Sequence, residues 1–177
     1  IKSNSPNNVL LSFKADDQLS IYLKHNEFSQ EHELTKDIRI GNTFFKKGEL
    51  PSNFDSVVKV YFESVLGVAF SNQAMLDGME TFFSERSYNP VMEYMERAAS
   101  NWDGRKRINQ MLQVYLGAED IDLVSKIAEM WLVGAVAKVY DPYAKFDYVL
   151  DLVGGQGVGK TSLLQKLGGE WYTDAVT

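Results

Sequence analysis

The most continuous apolar pattern lies in the second half of the chain. Between Ile121 and Val139 the residues Val124, Ile127, Ala128, Trp131, Leu132, Ala135 and Val136 recur at helical spacing on several faces. So broad an apolar surface predicts a long buried helix, closed by Pro142. Phe146 to Val153 has a different pattern, a run rich in aromatic and branched residues that predicts a buried strand. Asp151 interrupts it. A carboxylate buried without a partner is strongly unfavourable, so either Asp151 has a partner or that part of the strand is not fully buried. Thr161 to Leu167 then returns to helical spacing and stops at Gly168-Gly169.

Upstream, Asp103 is placed to cap a helix from Arg105 to Leu116, with Gly117 as its C-terminal glycine. Tyr88-Asn89-Pro90 predicts a turn whose proline opens a helix from Val91 to about Ala99. Asn53 is placed to cap a helix over Asp55–Leu66, although branched residues such as Val57, Val58 and Val65 blur helix against strand there. Ser71 is placed to cap a helix over Gln73–Arg86, and Val68-Ala69-Phe70 reads as a short strand before it. Ile38, Ile40, Phe44 and Phe45 around Gly41-Asn42 suggest a β-hairpin. Residues 16–25 read as a short helix, and residues 1–15 as a linker or a single strand. Together these predict an α+β protein, mostly helical. The expected divisions are a winged-helix-like docking unit over 1–87, a helical region over 88–145, and the opening of a P-loop NTPase domain over 146–177.

Composition narrows the function. The 177-residue chain carries a net charge of −6. Split after Gly104, the first part has 10 basic and 15 acidic residues and the remainder 8 and 9. Neither part has the basic excess of a dedicated nucleic-acid binder, so any such contact must be a local patch. There are no cysteines, hence no disulfides or thiolate metal sites, which fits the cytosol. No apolar run approaches the ~20 residues of a membrane span.

Gly154-Gly155-Gln156-Gly157-Val158-Gly159-Lys160-Thr161 reads G-x-x-x-x-G-K-[ST], the phosphate-binding loop. Its context fits, with a predicted strand before it and a helix after it. Glycines let backbone N–H groups turn around an anion, and the helix start adds its dipole. Gly155, Gln156, Gly157, Val158, Gly159, Lys160, Thr161 and Ser162 are the expected nucleotide-binding residues. Lys160 would neutralise the β- and γ-phosphates of ATP, and the Thr161 hydroxyl would complete the shell of Mg²⁺. Only 16 residues follow Thr161, too few for the second acidic motif that such NTPases require. A truncated ATPase domain that is inactive alone is therefore expected.

Other candidates have plainer alternatives. Arg105-Lys106-Arg107, at the start of a predicted helix, fits DNA phosphate or a neighbouring subunit's nucleotide, or a solvated basic corner. Lys46-Lys47 fits a wing tip that touches DNA, or lysines guarding an edge strand. His25 and His32 stand in polar surroundings and lack metal-ligand spacing. Trp102 reads as a packing anchor rather than a base-stacking platform.

Five spaced segments carry a family resemblance: Trp102-Asp103-Gly104-Arg105-Lys106-Arg107-Ile108, Tyr115-Leu116-Gly117-Ala118-Glu119-Asp120, Lys145-Phe146-Asp147-Tyr148, the loop Gly155–Lys160, and Gly169-Glu170-Trp171-Tyr172-Thr173-Asp174. In this order they resemble the virulence-associated protein E family, and Tyr88–Tyr94 resembles the element that precedes its domain. The resemblance implies a prophage or pathogenicity-island protein similar to superfamily 3 helicases of the AAA+ class. It implies an ATP-hydrolysing, ring-forming enzyme that acts on DNA in replication. Lys160 and Thr161 fall on the family's P-loop positions, with Thr161 in place of the more usual Ser. Asp151 departs from the apolar residue expected in its strand. A second reading is a non-catalytic module that docks a host or phage replication protein.

Overall fold

The computed structural model describes residues 4–175. The chain is α+β and mainly helical, and it divides into two compact units, 1–93 and 94–177. The division falls inside one helix.

The first unit opens with helix α1 (Pro6–Ala15), where the sequence suggested a linker or strand; residues 1–3 of that stretch lie outside the described residues. The cause is local. The Ser5 hydroxyl accepts from the Asn8 amide at 3.3 Å and Pro6 fills the first turn, where its missing N–H does no harm. Val9 and Phe13, one turn apart, then enter the core. A single turn, α2 (Leu19–Tyr22), leads into strands β1 (Leu23–Asn26) and β2 (Glu31–Leu34), an antiparallel pair in which Leu23 faces Leu34. Asn26, a buried polar residue, closes their turn: its Oδ1 accepts from the amides of Phe28 (2.9 Å) and Ser29 (3.2 Å). The sequence reading had a helix through residue 25, where β1 stands.

The expected hairpin around Gly41-Asn42 is present, as β3 (Ile38–Ile40) and β4 (Thr43–Phe45). It forms a sheet of its own. A mixed sheet of order β5-β2-β1-β6 is completed by β5 (Gly48–Glu49) and β6 (Ser87–Tyr88), the latter parallel to β1. Helix α3 (Phe54–Leu66) starts after Asn53 as expected, but the Asn53 side chain makes no cap bond. Helix α4 (Asn72–Ser84) is capped as expected, the Ser71 hydroxyl accepting from the Ala74 amide at 3.2 Å. Residues 68–70 pair with no strand, a correction; Phe70 instead inserts into the core.

One apolar core joins these elements. Phe13 lies against Phe62 and Phe82 with ring centroids 5.1 and 5.2 Å apart. Helices α1 and α4 approach closely because Gly78 lacks a side chain: a Cβ built there falls 2.6 Å from Val9 Cβ and 2.8 Å from the Pro6 carbonyl.

Helix α5 (Pro90–Ser100) carries the chain from residue 90 to residue 100, opened by its proline and by Asn89, whose Oδ1 accepts from the amides of Val91 and Met92, both at 3.1 Å. In the second unit a 3-10 turn (Ile108–Gln110) precedes α6 (Met111–Leu116), which ends on Gly117 in the left-handed region at φ 65°. Helix α7 (Asp122–Tyr140) has the expected extent. Its burial does not match the expectation: Ala128 and Gly134 are buried, whereas Leu123, Met130, Val133 and Val136 are exposed. The core here is small, built on Met111, Leu112 and Ala128, with Leu116, Val124, Leu152 and Leu163 against it.

The expected strand over 146–153 forms no ladder among the described residues. Val149 and Val153 are about nine-tenths exposed. A branched apolar run becomes a strand only when a neighbour takes its N–H and C=O groups, and none does so here. Asp151 is exposed as well, which removes the burial cost its position suggested. Helix α8 (Lys160–Gly168) follows the loop, as expected.

Candidate functional site

Helix α8 begins at Lys160, and the turn before it depends on two glycines. Gly157 (φ 85°) and Gly159 (φ 92°) lie in the left-handed region that side chains disfavour. Gly159 is the residue that caps α8, and a Cβ built on it would lie 3.9 Å from both the Leu116 side chain and the Tyr115 carbonyl. The loop is thus set against the C-terminal end of α6, in the Tyr115–Asp120 segment of the sequence pattern.

The Lys160 ammonium turns back across the loop. Its Nζ donates to the Gly154 carbonyl at 2.7 Å and the Gly155 carbonyl at 2.8 Å. An ammonium has three protons, so these bonds leave donor capacity, and both acceptors are neutral. Phosphate oxygens, being charged, would form the stronger bonds. The first amides of α8 have no intrahelical acceptor by helix geometry, and they supply further donors at the same end. Thr161 and Ser162 are exposed. This donor set fits an anion of phosphate type, and the Thr161 hydroxyl adds an oxygen ligand of the kind Mg²⁺ takes.

Beside the loop lies a cavity of about 370 Å³, lined by Leu116, Ala118, Val124, Ile127 and Leu152 together with Val158 and Lys160. The sequence predicts Val124 and Ile127 on a buried helix, Leu116 at a helix end and Leu152 in a buried strand, without joining them to the loop. The Tyr115–Asp120 segment, next to a phosphate loop in the same motif series, was the signal that could have linked them to the site.

Arg105, Lys106 and Arg107 are not on a helix N-terminus as expected; they form a loop ahead of the 3-10 turn. Asp103 accordingly caps no helix. The Arg107 guanidinium donates to both Asp103 oxygens, at 2.8 and 2.5 Å, and the Arg105 amide donates to Oδ1 at 3.1 Å. The bond from Arg107 and that from the Arg105 amide hold the Asp103 carboxyl well below the usual carboxylate range, and Arg107 is raised in turn. Trp102, Arg105, Lys106 and Arg107 line a cavity of about 530 Å³.

Lys46 and Lys47 do not form a wing tip. The tip of the hairpin is Gly41-Asn42, and the lysines lie at its open end, exposed, where the Lys47 amide donates to Asp37 at 2.7 Å. In the same unit the two histidines meet across β1 and β2, Nδ1 to Nδ1 at 3.2 Å, and His32 stacks on Phe83 with centroids 3.6 Å apart. Burial first, then the neighbouring His25, lowers the pKa of His32. Among the described residues no His, Cys, Asp and Glu cluster suits a metal ion, and no helix is long and apolar enough to cross a membrane.

Residues 95–177 match the model of the Virulence-associated protein E-like domain. The match contains all five segments of the sequence pattern and supports the virulence-associated protein E family for this half of the chain. The Tyr88–Tyr94 element lies outside it. None of the curated proteins matches the chain.

Proposed function

We propose that the second unit binds Mg·ATP through Gly154–Ser162, and that the chain belongs to a mobile-element, AAA+-type replication ATPase or helicase working on DNA as a ring in the cytosol. The observation that carries this reading is Lys160, folded over its own loop at the start of α8 with charge to offer an anion. On ligand binding its ammonium would exchange two neutral carbonyls for phosphate oxygens. The left-handed glycines would keep the loop amides open, and Thr161 would hold the metal. The apolar cavity beside the loop, about 370 Å³, would take the less polar part of the nucleotide and shed water. Bound Mg²⁺ would supply charge neutralisation for phosphoryl transfer. In the first unit, the hairpin packed near α3 is the feature that favours a winged-helix-like docking role.

Titration of a fluorescent ATP analogue with Mg²⁺ tests the reading. Lys160→Ala should weaken binding by about tenfold or more, the scale of a lost charge-assisted contact of 1.5–3 kcal/mol. Equal binding by both proteins, or none by the native chain, overturns it.

A second reading, docking of a basic replication protein, is favoured by one feature of the first unit. A cleft of about 300 Å³ is lined by Glu31, Glu49, Asp55 and Glu80 around His32, with Leu50, Met79 and Phe83 also in its lining. Its charge suits a cationic partner.

A further inference from the structure

The geometry points to the Trp102 loop as a contact for single-stranded nucleic acid, with a base stacked on the indole and its phosphates on Arg105 and Lys106. The inference deepens the proposed role on DNA and rests on it, but it concerns residues outside the phosphate loop.

Three observations carry it. Trp102 is 61 % exposed, although tryptophan is normally among the more buried residue types. Its ring is nevertheless held in place, because the indole N–H donates to the Arg105 carbonyl at 3.1 Å. A flat apolar surface that is both open and fixed loses little freedom when a base lies on it.

The charges beside it are sorted. Arg107 is engaged by Asp103 and stiffens the loop. The Arg105 side chain is 81 % exposed, with its Nε 3.9 Å from Asp103, and Lys106 makes no ion pair among the described residues. These two cations remain available to phosphate.

The cavity of about 530 Å³ they line is of a size to take a nucleotide, and Asn109 in its lining offers a donor and an acceptor to a base edge. Glu129, also in the lining, repels phosphate, so Arg105 and Lys106 define where the backbone lies. A single strand fits better than a duplex, because only unstacked bases present a free face. A net charge of −6 confines the contact to this patch.

The test uses the full chain and a short labelled oligothymidylate, read by anisotropy at several salt concentrations, alongside the same sequence as a duplex. The single strand should bind and the duplex markedly less. Trp102→Ala should weaken single-strand binding about fivefold or more, the low end for one stacked base, whereas Trp102→Phe keeps most of it. Arg105→Ala with Lys106→Ala should flatten the salt slope by about 1.4, two phosphates at roughly 0.7 each. A chain carrying Trp131→Phe and Trp171→Phe retains Trp102 as its sole tryptophan, and its emission should fall as oligothymidylate is added; this readout needs no change at Trp102. Unchanged affinity in Trp102→Ala, equal duplex affinity, unquenched Trp102 emission, or equal quenching by a mononucleotide each overturns the inference. ATP binding measured on the same preparations separates the two ideas: a native chain that binds ATP but not oligothymidylate sinks this one alone, and Trp102→Ala should lose oligothymidylate while keeping ATP.

Discussion

Gly134 sits within α7 against the ring of Phe146, the first residue of the run that leads to the glycine-rich loop before α8. A Cβ built on Gly134 would fall 2.3 Å from Phe146 Cε2 and 2.5 Å from Cδ2 and Cζ. Carbon atoms rest at roughly 3.5–4.0 Å, so Gly134→Ala must drive the ring back by more than an ångström. Two effects oppose each other. Alanine in a helix interior is favoured over glycine by about 1 kcal/mol. Overpacking costs about 1–3 kcal/mol. Phe146 is half-buried and can yield in part, so the bare substitution comes out near neutral or mildly destabilising.

The decisive quantity is therefore the coupling. With Phe146→Ala already in place the clash is gone, and Gly134→Ala should stabilise by about 1 kcal/mol. The two backgrounds should differ by about 1–3 kcal/mol. Urea unfolding followed by tryptophan emission measures it cleanly, because all three tryptophans, Trp102, Trp131 and Trp171, lie in the second unit. If Gly134→Ala stabilises equally in both backgrounds, the Phe146 ring does not rest on Gly134, and the anchoring of the loop's lead-in on α7 is refuted.

Gly78→Ala in the first unit should be more harmful than Gly134→Ala, because the obstructing atoms are Val9 Cβ and a backbone carbonyl, which cannot swing away. A loss of about 1–2 kcal/mol by circular dichroism is expected after the helix-propensity gain is subtracted, and a stabilised variant would contradict the α1–α4 packing. His32 gives a pH dependence. Its folded pKa lies below the ordinary 6.5, so its contribution is present above about pH 6.5 and is lost as the pH falls toward the folded value, the unfolded chain taking up the proton first. The stability difference between the native chain and His32→Gln should therefore shrink between pH 7.5 and 5 on urea titration, and a difference independent of pH would place His32 outside the linkage.

The sequence disclosed those elements whose causes are local. Ser71, Gly117 and Pro90 each mark a helix boundary by their own chemistry, and each boundary is where expected. Ser5-Pro6 carries the same kind of signal, but the surrounding Asn and Ser residues masked it, and α1 was missed. Strands β1 and β2 were illegible for a different reason. Of Leu23–Asn26 only the two ends are buried, and of Glu31–Leu34 only the last residue, so no alternation shows. Their pairing depends on Leu23 meeting Leu34 across a turn closed by Asn26. That information is tertiary.

The candidate site divides along the same line. The conformation of the loop 154–161 was legible because the need for left-handed backbone at Gly157 and Gly159 and for a helix beginning at Lys160 is written into adjacent residues. Its setting was not. The run 146–153 has strand composition, yet composition cannot provide a ladder partner, and Val149 and Val153 remain in solvent. The basic loop was misread because Asp103 had two possible partners. Sequence favours the helix amides that an aspartate caps; in the structure its carboxylate instead holds the Arg107 guanidinium at both oxygens and the Arg105 amide, closing a loop and not a helix start. That choice moves Arg105–Arg107 off the helix start. It also turns Trp102 from an expected packing anchor into an exposed, pinned ring, the feature on which the proposed nucleic-acid contact rests.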